Sequence, residues 1–343
     1  RITVSLVPTQ ERKTGSGLDL PIALGILAAL GGIPADSRGE LAALGVLGLD
    51  GSIRGVRGVA PMVASLGASD VMVPLDNAVE ATVAARGRPR FVTSLKEVIA
   101  VLKLEAQWPD HEPPPVREAH DPPADLADVR GQPMARHALE VAAAGGHHLL
   151  FVGPPGSGKT MLASRLPGLL PPLGDERALE TTMIHSVAGI PLPPGGLVRR
   201  PPFRAPHHTA SHMSLVGGGS SFVRPGEVSV ANGGVLFLDE LAEFTPAALD
   251  SLREPLEEGS VRVSRVENRL VSPARIQLVA AMNPCPCGGG APGACTCGDQ
   301  QRRRYLGRVS GPLLDRFDLR VRVERPNVDD ILGDADGEPS APV

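Results

Sequence analysis

The apolar residues of this chain come in short runs, and the spacing inside each run predicts its element. "ITVSLVP" alternates apolar and polar positions and reads as a strand. "LPIALGILAAL" predicts a helix with Pro21 in its first turn, where the missing N–H costs nothing. "LAALGVLGLDGSI" predicts two strands joined at Asp50-Gly51. "DVMVP" and "RFVTS" are short buried strands, and "SLKEVIAVLK" is an amphipathic helix capped by Ser94. Further on, "HHLLFVG", "GGVLFLDEL" and "RIQLVAAMNP" are apolar without alternation, as strands covered on both faces are, and "KTMLASRLPGLL" predicts a helix. Strands alternating with helices predict an α/β fold in both halves, with a mainly parallel sheet in the second.

Residues 105–128 divide the halves. Six prolines lie between Pro109 and Pro123, and seven acidic residues accompany a single arginine, Arg117. Such a segment buries too little apolar surface to fold, and its prolines keep it extended. The expected organisation is a domain over 1–104, a linker over 105–128, a core over 129–325, and a lid start or tail over 326–343. The chain opens in "RITVSLVP" without an initiator methionine and closes in the polar "GDADGEPSAPV", which reads as a fragment of a longer protein.

Composition narrows the functional classes. At 343 residues the chain has room for two domains, and 42% hydrophobic residues with only 3% aromatics imply aliphatic cores. A net charge of -4 argues against a broadly basic coat, though not against local basic patches. The longest apolar run, Leu20 to Pro34, is broken by Pro21 and falls short of the ~20 residues that span a bilayer. No signal peptide is legible, so the expected location is the cytoplasm, with no membrane partner.

Two motifs carry chemistry. "GPPGSGKT" (Gly153, Pro154, Pro155, Gly156, Ser157, Gly158, Lys159, Thr160) matches the phosphate-binding loop and stands between a predicted strand and a predicted helix. Its backbone N–H groups and the helix N-terminus suit the phosphates of ATP; Lys159 reaches the β- and γ-phosphates and Thr160 holds Mg2+. "VLFLDE" ends an apolar strand on Asp239, which suits the Mg2+ shell, and Glu240, placed to polarise the attacking water. His207, His208 and His212 invite a metal reading, but no carboxylate follows at ligand spacing before Glu227, so a loop of hydrogen-bonded imidazoles is favoured.

These motifs, with "ETTMIHSVAG", "RPPFRAPHHTAS", "ANGGVLFLDEL", "SLREPLEEG" and "SGPLLDRFDL", resemble the magnesium-chelatase-like AAA+ ATPases of the YifB/ComM type over about residues 129–325. The resemblance implies a ring, expected to be a hexamer, with each site shared between neighbours. It implies that Asn283 senses the γ-phosphate or orients water, and that Arg316 is the arginine finger given to a neighbour; local pairing of Arg316 with Asp315 or Asp318 is the plainer alternative. It also implies that "SLVGGGSSFVRPGE" points toward the pore. "RKTGSGLDLPIAL", "LGLDGSIRGVRGVA" and "VMVPLDNAVE" resemble a Lon-protease-like domain. The protease nucleophile would fall at Ser16 or Gly17 and its lysine at Ala60. No lysine occurs between Lys13 and Lys96, so that dyad cannot form.

Three functions follow from this reading. The first is an ATP-driven motor on DNA, for which the resemblance implies branch migration or helicase-like processing of recombination intermediates in natural transformation. "EEGSVRVSRVENRLVSPARIQ" predicts a hairpin that turns near Glu267-Asn268, with Arg262, Arg265 and Arg269 toward its tip. "QRRRYLGR" adds Arg302, Arg303, Arg304 and Arg308, local clusters suited to backbone phosphates. The second is the ATPase subunit of a magnesium chelatase. The third is a Lon-like protease, which the missing lysine disfavours.

All four cysteines, Cys285, Cys287, Cys295 and Cys297, lie within 13 residues as two C-x-C pairs. A reducing cytoplasm disfavours disulfides, which leaves idle thiols or a structural Zn2+ with four thiolates. Both remain open at this level.

Overall fold

The apolar runs of the first half pair mostly as their spacing predicts. A computed structural model describes residues 2–7, 17–34, 41–67, 70–112, 124–219, 223–264, 269–289, 295–326 and 338–340. The chain divides into two units: Arg1–His120 with Leu179–Val198, and Asp121–Ala178 with Arg199–Val343. In the first unit the strands are β1 (Leu41–Ala43), β2 (Val46–Leu47), β3 (Ile53–Arg54), β4 (Asp70–Pro74) and β5 (Arg88–Val92). A parallel sheet runs in the order β1-β4-β5, and β2 and β3 form an antiparallel hairpin. "LAALGVLGLDGSI" therefore makes three strands rather than two. Gly45 breaks the run, because its N–H bonds to Gly17 O and leaves the sheet. The helix Asp19–Ala29 carries Pro21 in its first turn, and Ser94 caps Leu95–Leu102 by accepting from the Glu97 N–H at 3.3 Å.

Residues 2–7 are not a strand. Their alternation is suitable, but they pair with no described strand, and Ile2, Val4, Leu6 and Val7 stay exposed. The expected linker is also held in part. Trp108 lies under the Arg90 guanidinium at 5.4 Å and against the first unit's core, and His111 Nε2 is 2.7 Å from Glu97 Oε1. Leu126 is fully buried in the second unit. In the tail, Ser340 N–H donates to Asp125 Oδ1 at 3.0 Å, so residues 338–340 dock despite their polar composition. Residues 113–123 and 327–337 lie outside the described residues.

Segment 179–198 packs within the first unit. Ala60 N–H donates to Ser186 Oγ at 3.3 Å, and Ser186 Oγ donates to Glu80 Oε2 at 2.8 Å. Ala60, the position of the protease lysine in the resemblance, is fully buried beneath this contact. Ser16 lies outside the described residues.

The second unit adds β6 (Leu149–Val152), β7 (Phe203–Arg204), β8 (Gly217–Gly218), β9 (Arg224–Pro225), β10 (Val235–Leu238), β11 (Ser260–Ser264), β12 (Arg269–Pro273), β13 (Gln277–Met282) and β14 (Leu319–Arg322). Five of them form an all-parallel sheet, β14-β6-β13-β10-β7, as a P-loop AAA+ type domain requires. Its central strands are buried on both faces. Leu150, Leu236, Leu238, Leu278 and Ala280 pack to one side; Leu149, Phe151, Val235, Phe237, Val279 and Ala281 pack to the other. The run "KTMLASRLPGLL" is split into Lys159–Ala163 and Leu166–Leu169 rather than forming one helix. Pro167 lacks the N–H and its ring excludes the carbonyl of residue 163 from a helical bond. Among the described residues no helix is long and apolar enough to cross a membrane.

Two glycines of the first unit differ in the space around them. A Cβ at Gly25, inside the helix Asp19–Ala29, would meet nothing within 4 Å, whereas one at Gly45 would sit 2.9 Å from Ile53 Cγ2. Gly25→Ala is expected to stabilise the unit by about 0.5–1 kcal/mol through helix propensity. Gly45→Ala is expected to destabilise it by roughly 1–3 kcal/mol through overpacking. Urea unfolding of both variants checks the pair, and the opposite order would contradict this packing.

Candidate functional site

Parallel strands in register end together, and the residues after β6, β10, β13 and β14 gather at one edge of the sheet. Val152 is level with Met282 and Arg322, and Leu238 with Ala280. Gly153 follows β6 with its N–H on Met282 O at 3.1 Å. A Cβ there would come within 2.0 Å of Val323 O, so only glycine fits between the neighbouring strands. Gly156 and Gly158, at φ 74° and 86°, then curl the loop back into the helix Lys159–Ala163.

The side chains that the sequence singles out converge on this loop. Lys159 is almost wholly buried, and its Nζ donates to Gly153 O and Pro154 O at 2.9 Å each. The same Nζ lies 3.5 Å from Ser157 Oγ and from Asn283 Oδ1. Burial draws its pKa below the ordinary lysine value, and the Asp239 carboxylate opposes that shift. Thr160 Oγ1 donates to Asp239 Oδ2 at 2.7 Å. Asp239 Oδ1 accepts the Glu240 N–H at 2.9 Å. Glu240 itself sits at φ 52°, ψ 47°, a left-handed conformation that costs a non-glycine residue on the order of 1–2 kcal/mol. The cleft has a volume of about 530 Å³, within the usual range for small-molecule sites, and is lined by Pro155 to Met161, Asp239, Glu240, Met282 and Asn283.

One contact was missed by the sequence reading. His208 Nδ1 lies 2.9 Å from Glu240 Oε2. Its ring lies 4.1 Å from that of His207, tilted by 34°, and His207 Nδ1 meets Thr209 Oγ1 at 2.9 Å. The imidazoles are thus hydrogen-bonded, but one of them pairs with the Glu240 carboxylate. The signal was hidden because β7 has only two residues. Pairing with β10 is what delivers the following "APHH" beside Glu240.

Arg316 does not line this cleft. Its guanidinium pairs with Glu257 rather than with either aspartate beside it. Asp315 faces Arg320 at 3.7 Å, and Asp318 accepts the His148 N–H at 2.8 Å. Among the expected basic groups, β11 and β12 do form an antiparallel hairpin, with Arg269 opposite Ser264. Arg262 is exposed and pairs with Glu258 at 2.8 Å, while Arg265 and the turn at Glu267-Asn268 lie outside the described residues. On the helix Asp299–Leu306, Arg303 and Arg304 are exposed; Arg308, just beyond it, is engaged by Glu243 at 2.8 Å.

The cysteines converge. Cys285 Sγ is 3.4 Å from both Cys287 Sγ and Cys295 Sγ, and all four sulfurs lie within 4.8 Å of one another, unpaired by disulfides. Backbone N–H groups of Gly289 and Thr296 draw the Cys287 thiol down to about 5, and shared hydrogen bonding with Cys287 pushes Cys297 up to about 11. Four sulfurs around one Zn2+ at ≈ 2.3 Å would stand about 3.8 Å apart, so the cluster fits a single tetrahedral ion. It is the one such ligand group among the described residues.

The family described as "Magnesium chelatase, subunit ChlI" matches residues 125–331, and "Subunit ChlI of Mg-chelatase" matches residues 1–77. The chain is 47% identical over 349 residues to an uncharacterized protein of Mycobacterium tuberculosis, covering all of this chain and 68% of that protein. It is 45% identical over 329 residues to the competence protein ComM of Haemophilus influenzae, and 43% identical over 329 residues to YifB of Escherichia coli. These two alignments cover 94% and 95% of this chain and 64% of each relative.

Gly153→Ala forces a methyl group against Val323 O. It is expected to destabilise the second unit by roughly 1–3 kcal/mol and to shift the amide resonances of Gly156 to Thr160. Urea unfolding and an NMR amide spectrum check this; an unchanged loop would contradict the tight passage between the strands.

Proposed function

The chain belongs to the magnesium-chelatase-like AAA+ family of the YifB/ComM type, and from that premise we propose that it hydrolyses ATP with Mg2+ and uses the cycle to act on DNA. The 2.7 Å contact between Thr160 and Asp239 carries the reading. It joins a hydroxyl and a carboxylate from two separate motifs at the mouth of a glycine loop, the hard oxygen donors that suit Mg2+ beside phosphates. Thr160 and Asp239 would hold Mg2+, which would supply charge neutralisation for the phosphates. The N–H groups of Gly156, Ser157, Gly158, Lys159 and Thr160 donate to the phosphate oxygens, and the Lys159 ammonium turns from the Gly153 and Pro154 carbonyls to the γ-phosphate. Glu240 draws the proton from the attacking water, His208 orients the Glu240 carboxylate, and Asn283 positions the water against the phosphate. Arg316 completes the site of the next subunit in a hexameric ring, and within one chain Glu257 holds its charge.

The exposed Arg303 and Arg304 and the hairpin arginines support DNA as the partner, held by its backbone phosphates. The name of the competence protein among the relatives supports a role in natural transformation, and the action proposed there is branch migration or helicase-like processing of recombination intermediates. The four cysteines hold a structural Zn2+ in a reducing cytoplasm. The ATPase subunit of a magnesium chelatase is the second reading, favoured by the description of the matching family. ATP hydrolysis by the purified protein with single-stranded, duplex and four-way-junction DNA separates the two: stimulation by DNA supports the first, and its absence favours the second.

Glu240→Gln is expected to bind ATP normally and to lower turnover by at least about 10²-fold. Near-normal turnover in a steady-state assay would remove Glu240 from the mechanism. Replacing Arg303 and Arg304 with Ala is expected to weaken DNA binding equally for all sequences and to flatten its salt dependence. Titrations across a range of salt concentrations check this, and an unchanged slope would leave these arginines as ordinary surface charge.

A further inference from the structure

The cysteine cluster touches the nucleotide loop. Cys285 O accepts the Gly288 N–H at 3.0 Å, closing a turn that carries two of the four sulfurs. Gly288 is buried at φ 76°, and a Cβ on it would stand 2.6 Å from Pro155 Cδ and 2.8 Å from Pro155 Cγ. Pro155 is part of the phosphate loop and lines its cleft. The Pro155 carbonyl also accepts from Arg325 Nε at 3.3 Å, so the residue is held from two sides. Cys285 is 1% exposed, two residues beyond Asn283, whose Oδ1 faces Lys159. The backbone of Asn283 also hydrogen-bonds the buried Tyr305 phenol on the helix that follows Cys297.

Resting on the reading of the cluster as a Zn2+ site, we propose that the bound ion is a brace for the phosphate loop: zinc occupancy keeps the Cys285–Gly288 turn closed, seats Gly288 against Pro155 and thereby sets the affinity for ATP. The physical reason is preorganisation. Cys287 is exposed and Cys295 and Cys297 are only half-buried, so these positions have few apolar contacts to fix them, whereas four thiolates on one ion fix both ends of the loop at once. The phosphate loop then keeps the wall that Gly288 supplies at Pro155 Cδ. Sulfur separations of 3.4 to 3.6 Å lie a little under the roughly 3.8 Å of a tetrahedral site, close enough for one ion to hold the thiolates together. The site is structural, since four protein ligands leave no open position.

The test uses the whole chain in four states: as purified, zinc-stripped under reducing conditions, reloaded with Zn2+ alone, and as the variant Gly288→Ala, which keeps all four cysteines. Metal content is read by atomic emission, and ATP affinity by titration with a fluorescent ATP analogue. The expected result is about one zinc per chain, ATP binding weakened at least about tenfold on stripping, and recovery on reloading. Gly288→Ala is expected to keep its zinc and still bind ATP about tenfold more weakly. A purified chain with no metal and no uptake of Zn2+ would overturn the zinc reading itself. A zinc-loaded chain whose ATP affinity survives both stripping and Gly288→Ala would overturn the brace and leave the zinc reading intact. Failure of the zinc-loaded wild type to bind ATP would instead overturn the nucleotide reading. If Gly288→Ala does not fold, the stripping and reloading states decide alone.

Discussion

The confinement of β6 between two parallel neighbours governs everything around it. Its carbonyls and amides are taken by β13 and β14, so the chain can leave the sheet only where both ladders end, between Met282 O and Val323 O. Glycine is the one residue that passes there. The same parallel register brings the ends of β10 and β13 to that point, which places Asp239, Glu240 and Asn283 around the loop without any dedicated scaffold. Chemistry at the carboxyl end of a parallel sheet is thus a consequence of strand pairing, and the buried faces of β6, β10 and β13 supply the stability that holds it.

Electrostatics refine what the backbone sets. Lys159 is buried with its ammonium on carbonyl oxygens, an arrangement that keeps a cation solvated by dipoles while its pKa is drawn down. Glu240 takes a strained backbone conformation in which its carboxylate reaches His208. Strain of this kind persists only where surrounding packing enforces it, and here Leu241 and Ala242 are fully buried directly after it.

Much of this was legible in the sequence, for identifiable reasons. Unalternating runs such as "VLFL" and "QLVAAM" can be satisfied only by a sheet covered twice, and both proved central and parallel. The glycine loop and the pair Asp239-Glu240 were legible because each follows such a run. Contacts set by tertiary structure were not legible. His208 reaches Glu240 through a strand of two residues; Arg316 meets Glu257, 59 positions earlier; Gly288 lies under Pro155, far off in sequence. "ITVSLVP" shows the converse limit, since an alternating pattern is only a request for a partner edge. The Pro-rich segment was read from composition alone, and the single Trp108 was enough to hold its start against Arg90.

The central claim is that these strand ends form a nucleotide site, and calorimetric titration of ATP with Mg2+ into the wild type and Lys159→Ala tests it most directly. The expected result is saturable binding of one ATP per chain by the wild type, dependent on Mg2+, and loss of that binding in Lys159→Ala with the fold intact by circular dichroism. Equal ATP binding by both proteins, or none by the wild type, would contradict the assignment of the loop Gly153–Thr160 to phosphate.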